Sequence, residues 1–161
     1  MSRGFTRRAW LGLAALGAVG AGVRPRIAAA QGHLANLAPE EPIAATLRRL
    51  FADRPIKDGA ALITIEMPLI AEDGGSVPIA VEVKSPMTPE SHVKAIYILS
   101  DKNPRPLNAR FNLTPACGQA YIATSLRLAD TGDVRAVAEM QDGTLFGVKR
   151  SVRVVVAGCA A

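Results

Sequence analysis

The side chains best suited to covalent or metal chemistry are few: two cysteines, Cys117 and Cys159, and two histidines, His33 and His92. They are scattered along 161 residues, whereas a protein-bound zinc ion needs three or four clustered ligands, so no metal site is expected. His33 falls in a polar leader and His92 in a loop after Pro89-Glu90-Ser91, both read as solvated. No G-x-S-x-G, C-x-x-C, H-E-x-x-H or glycine-rich phosphate loop occurs, so nothing supports an intrinsic catalytic centre or a bound cofactor. The acidic pairs Glu40-Glu41 and Glu72-Asp73 read as solvated surface.

Cys159 stands apart. It lies third from the end in Ala157-Gly158-Cys159-Ala160-Ala161, directly after the β-forming run Val152-Arg153-Val154-Val155-Val156. A buried cysteine behaves as a small core hydrophobe, but this tail has no bulky residue with which to bury one. Three extended residues carry a side chain about 10 Å past the sheet. A flexible arm of this kind can deliver a group held on sulfur into a narrow pocket of another protein. Cys117, in Thr114-Pro115-Ala116-Cys117-Gly118, reads as a partly buried thiol in a turn.

The elements that must hold such an arm follow from composition and periodicity. The formal charge is +5, with 49% hydrophobic residues. Five arginines (Arg3, Arg7, Arg8, Arg24, Arg26) and no acid lie in residues 1–30, which leaves the remainder neutral and without the charge that binds nucleic-acid phosphates. Aromatic content of 4% also leaves too few rings to stack single-stranded bases. Thr6-Arg7-Arg8-Ala9-Trp10-Leu11, the apolar run Leu11 to Val23 and the small residues Ala28-Ala29-Ala30 form a twin-arginine export signal over residues 1–30. The run is shorter than the ~20 residues of a membrane span and is diluted by glycine. Arg24 and Arg26 before the cleavage site hinder the general secretion route and suit the twin-arginine one. The mature chain is therefore expected to begin near Gln31, in the periplasm and without a membrane span, where an oxidising environment permits disulfides.

Residues 31–156 read as one domain. Pro42 opens a short helix whose Ile43, Leu47, Leu50 and Phe51 form an apolar stripe suited to packing on a sheet, and Pro55 with Gly59 ends the pattern. Period-two segments follow at Leu62–Met67, Val77–Val83, Val93–Leu99, Ala109–Leu113, Tyr121–Leu128, Val134–Met140 and Leu145–Val156, the last with a potential break near Lys149. Asp142-Gly143 is the strongest hairpin signal, read as a two-residue turn. The expected fold is all-β: an immunoglobulin-like antiparallel sandwich with a short N-terminal helix and a flexible arm, residues 157–161.

The stretch Ile65-Glu66-Met67-Pro68-Leu69-Ile70-Ala71-Glu72-Asp73-Gly74-Gly75-Ser76-Val77-Pro78-Ile79, the segments Thr124–Ala129 and Ala136–Met140 with Asp142-Gly143, the export signal and the arm together resemble the SoxY family. That family is the Y subunit of the SoxYZ sulfur carrier of thiosulfate oxidation, and the resemblance covers nearly the whole chain. It implies a periplasmic carrier that is not an enzyme, with Cys159 as the attachment point for a thiosulfate-derived adduct and Ala157, Gly158, Ala160 and Ala161 as its arm. It also implies a Z subunit as heterodimer partner and three enzymes that act on the cargo: a heme c sulfur transferase, a sulfate thiol hydrolase and a sulfane dehydrogenase. The family's arm is typically Gly-Gly-Cys-Gly-Gly; here three glycines are alanine, stiffening the chain by about 0.4–1 kcal/mol of entropy per site. Two other readings stay open at the level of sequence. One is a structural Cys117–Cys159 disulfide, and the other a binding module whose arm has drifted from sulfur carriage.

Overall fold

A computed structural model describes residues 39–156; the export segment, most of the leader and the arm lie outside the described residues. One helix, α1 (Ile43–Phe51), precedes nine strands: β1 (Ile56–Asp58), β2 (Ile63–Glu66), β3 (Ile70–Asp73), β4 (Val77–Val83), β5 (Val93–Ser100), β6 (Leu107–Asn112), β7 (Ala120–Leu126), β8 (Gly132–Met140) and β9 (Leu145–Val156). The larger sheet runs β1-β9-β8-β5-β6, with β3 also on β9, and a three-stranded sheet β2-β4-β7 faces it. This is the expected sandwich.

Alternation explains the interior. Ile63 and Ile65 of β2 and Val77, Ile79, Val81 and Val83 of β4 are buried, as are Ile96 and Ile98 of β5, Val134 and Ala136 of β8 and Val152 of β9, all in one core between the sheets. Each large aliphatic side chain so buried contributes roughly 1.5–3 kcal/mol. Strand β5 is buried on both faces because α1 covers its outer side. Phe51 there packs with Ala95, Tyr97, Leu99, Val137 and Leu145, and Ile43, Leu47 and Leu50 complete this second core. The helical stripe read from the sequence therefore packs on a sheet.

Two short strands were not expected, and both are parallel to β9. β1 pairs with Leu145–Gly147 and β3 with Arg153–Val156. Neither has enough residues to show a period, and each forms because β9 offers its backbone edge. Gly147 permits the first pairing, since a Cβ there would lie 2.6 Å from Ile56 Cγ2. The suspected break near Lys149 does not occur: β9 runs unbroken for 12 residues.

The hairpin after β8 also differs from a two-residue turn. Only Gly143 has positive φ, at 83°. Gly143 N–H donates to Met140 O and Met140 N–H to Thr144 O, an arrangement that places one glycine in the left-handed region rather than two successive residues. Asp142 Oδ1 accepts the Thr144 N–H at 2.8 Å and secures the turn.

Polar side chains read as solvated are partly recruited into the fold. Glu41 accepts hydrogen bonds from Thr46 Oγ1 and Arg49 Nε at the start of α1, and the Arg49 guanidinium holds its carboxyl below the ordinary range. The loop after α1 is pinned by Arg54 Nη1, 2.9 Å from Glu139 Oε1, while Tyr97 Oη donates to Glu139 Oε2 at 2.8 Å. Burial raises the Glu139 pKa, but the bonds from Arg54 and Tyr97 outweigh it and the net shift is downward. A carboxyl depressed in the folded state stabilises the fold above its unfolded pKa, and that contribution is lost as pH falls through the folded value. Stability should thus decline below about pH 4.5. Arg54 is 42% exposed, so solvent screening limits the loss in Glu139→Gln to about 1–2 kcal/mol at neutral pH. Urea unfolding of both proteins at pH 7 and pH 4 tests this; an equal acid response would remove Glu139 as its source.

Candidate functional site

The arm begins where β9 ends, and the last residues of β9 are held on both sides. Gly74 N–H donates to Val156 O at 2.8 Å, and Leu128 N–H donates to Gly74 O at 2.8 Å. On the opposite side Thr131 Oγ1 accepts from Val154 N–H at 2.9 Å. The backbone is therefore held through Val156. Ala157, Gly158, Cys159, Ala160 and Ala161 lie outside the described residues.

Four large apolar side chains stand exposed around this point: Leu69, Ile70, Val155 and Val156. Ile70 is in register with Arg153 and Asp73 with Val156. Alternation sends Ala71 and Val154 toward the core and puts Ile70, Arg153 and Val155 on the outer face. These flanking residues were not singled out from the sequence. The available signal was Leu69-Ile70 directly after Pro68, an apolar pair too short for periodicity.

The other candidates lie elsewhere. His92, expected to be solvated, is buried at 8% exposure, with Nδ1 3.1 Å from Thr88 O. The turn Thr88–Ser91 folds back over the ring, so its role is packing within a loop. Cys117, expected to be partly buried, is exposed in the single 3-10 turn Pro115–Cys117, its Sγ 3.9 Å from Thr114 Oγ1. Among the described residues no three His, Cys, Asp or Glu side chains gather as a metal ion requires. No helix among them is long and apolar enough to cross a membrane. A groove of about 440 Å³ lined by Leu47, Ile56, Val137 and Val148, with Lys57 and Lys149 beside it, sits at the opposite end of β9 from Val156.

The topology places Cys117 relative to the end of β9. Cys117 precedes the start of β7, where Ala120 pairs with Val83, whereas Val156 adjoins Gly74 and Leu128, past the end of β7 where Leu126 pairs with Val77. The length of β7 separates these points, about 20 Å at ~3.3 Å per residue. Three residues beyond Val156 reach about 10 Å, and a disulfide joins Cα atoms about 6 Å apart.

A family model and one solved structure point to the same lineage. The family described as "Sulfur oxidation protein SoxY" matches residues 47–159, from within α1 to Cys159 itself. The chain belongs to the SoxY family. The structure of the sulfur carrier protein SoxY from Chlorobium limicola f thiosulfatophilum superposes with a TM-score of 0.58 at 28% identity, covering 70% of this chain and 94% of that one. A superoxide reductase (neelaredoxin) from Ignicoccus hospitalis matches at 17% identity and a TM-score of 0.52, over 58% of this chain and 80% of that one. A putative superoxide reductase from Thermotoga maritima matches at 21% identity and a TM-score of 0.50, over 57% and 84%. At those identities the reductases share the fold and nothing more is drawn from them. The comparison with curated proteins gave no match.

Proposed function

We propose that the chain is a periplasmic covalent carrier of sulfur in thiosulfate oxidation, with Cys159 as the attachment point and catalysis supplied by partner enzymes. The observation that carries this reading is the SoxY family match extending through Cys159, and the rigid exposed end of β9 from which three residues lead to that thiol supports it. Loading joins the Cys159 sulfur to the sulfane sulfur of thiosulfate; the thiol gives up its proton, and the two electrons released pass to the heme c sulfur transferase. Water then attacks the terminal sulfonate sulfur, sulfate leaves, and a persulfide stays on Cys159. Each step changes the cargo while the Cys159–sulfur bond persists, which is why a carrier needs an accessible thiol and no catalytic groups of its own. Intact mass of the mature protein, incubated with thiosulfate and that transferase, is expected to rise by one thiosulfate-derived adduct located on Cys159. An adduct found on Cys117, or none, overturns the assignment.

The export and assembly expectations belong to the same proposal. Arg7-Arg8 and Ala28-Ala29-Ala30 support twin-arginine export and a mature start near Gln31. Replacing both arginines with lysine should retain the precursor in the cytoplasm, and undiminished export would remove that route. With its Z subunit the mature chain is expected to elute as a one-to-one heterodimer by light scattering.

A further inference from the structure

β8 and β9 carry two cations side by side. Arg135 stands directly opposite Lys149 in their register, and like charges so placed repel. Both lie on the outer face of the larger sheet, because Val137 and Leu145, two and four residues away, face α1 in the second core. Arg135 is matched, its Nε and Nη2 donating to Asp101. Lys149 is exposed, and among the described residues no acid lies within ion-pair distance of it. Asp133, opposite Ser151, accepts from the Ser151 hydroxyl instead.

The same pair lines the groove of about 440 Å³ that also includes Leu47, Ile56, Val137 and Gly147. Gly147 is opposite Val137. Having no side chain, it leaves an opening on the face where Leu145 and Lys149 project on either side of it. Leu47 of α1 and Ile56 of β1 border that opening, and Ile56 is 39% exposed. Lys57 is the third cation of the lining, its Nζ 6.0 Å from the centre of the Phe146 ring. The one acid of the lining, Asp58, accepts the Ala60 N–H at 3.1 Å. An apolar trough of this volume with a few polar groups converging on it has the character of a small-molecule site.

We infer that the groove binds a small amphipathic organic anion, one carboxylate or sulfonate on an unbranched apolar body. The head lies between Lys149 and Arg135, whose Nη1 is not engaged by Asp101, and the body runs over Val137, Leu47 and Ile56. The negative charge relieves the repulsion across the Arg135–Lys149 pair, and the body takes Ile56 out of water. Neither part serves alone: an apolar molecule leaves Lys149 unmatched, and an inorganic anion leaves the trough unfilled. The groove is at the opposite end of β9 from Val156, so the inference does not rest on the carrier reading.

The test titrates octanoate into the mature protein by calorimetry, with octan-1-ol as the body without the charge and sulfate as the charge without the body. Octanoate should bind saturably at one site, and each of the other two roughly tenfold more weakly or less well still. Lys149→Gln and Ile56→Ser, both at exposed positions, should each weaken octanoate roughly tenfold, while Lys84→Gln on the smaller sheet and Cys159→Ser should match wild type. Absence of saturable binding overturns the inference, as does octan-1-ol binding equally well. So does octanoate binding undiminished in both groove variants, which would make it an adventitious additive only. Phosphatidylglycerol vesicles present the same chemistry from a membrane, and co-sedimentation with them without binding of free octanoate would likewise overturn it.

Discussion

Replacing Cys159 with serine is expected to abolish loading completely while leaving the melting temperature of the protein unchanged. A serine hydroxyl cannot form the sulfur–sulfur bond that holds the cargo, so no residual rate through that position is possible. The two cores are built from residues that end at Val154, which is why stability should not respond. Cys117→Ser is expected to load like wild type, because Cys117 is exposed at the opposite end of β7. The reactivity of Cys159 can be followed separately. Its nearest basic residue in sequence is Arg153, so no neighbouring cation along the chain favours the reactive thiolate, and the isolated thiol should react slowly at neutral pH. Activation then depends on positive charge in the partner's pocket. An iodoacetamide labelling midpoint well below about 7 in the isolated protein would place the activation in this chain instead.

The second large effect concerns stability. Phe51→Ala should cost about 3–5 kcal/mol, because the lost ring is fully enclosed and leaves a cavity that the sheet cannot collapse to fill. Phe51 is 2% exposed, and its ring meets that of Tyr97 edge to face with centroids 5.0 Å apart. It is the only fully buried large apolar residue of α1, whose Ile43, Leu47 and Leu50 are half-buried around it. Removing it should loosen the helix, uncover Val137 and Leu145, and free Arg54 from its place beside Glu139. Denaturant unfolding checks the prediction; a loss below about 1 kcal/mol would show that the helix is held chiefly by its flanking residues. Loading at Cys159 should persist in this variant below its melting temperature, since α1 packs at the far end of β9 from Val156.

Much of this architecture was legible before any coordinates. Strands β4 and β8 and both ends of β9 announce themselves by alternation, and α1 by the spacing of Ile43, Leu47, Leu50 and Phe51. These are properties of local sequence, because a period of two or of 3.6 requires only neighbours along the chain. The arm too is a local feature, small residues around one thiol after a run of valines. His92 and Cys117 were read the wrong way round for a common reason. Burial depends on what folds over a residue: the turn Thr88–Ser91 covers His92, and nothing covers the 3-10 turn at Cys117.

What the sequence by itself determined was the set of elements and the presence of a lone thiol beyond the last strand, since both depend on residue type and spacing. Tertiary structure alone decided what holds the end of the strand that precedes it. β1 and β3 are too short to carry a periodic signal and exist as strands only because β9 supplies hydrogen-bonding partners from far along the chain. The same pairing sets Ile70 opposite Arg153 and Asp73 opposite Val156, joining two segments that are separate in sequence. It also puts the length of β7 between Cys117 and the root of the arm. A distance of that kind depends on which strands lie side by side, and a choice among distant partners is settled by the burial of the whole core rather than by any one segment.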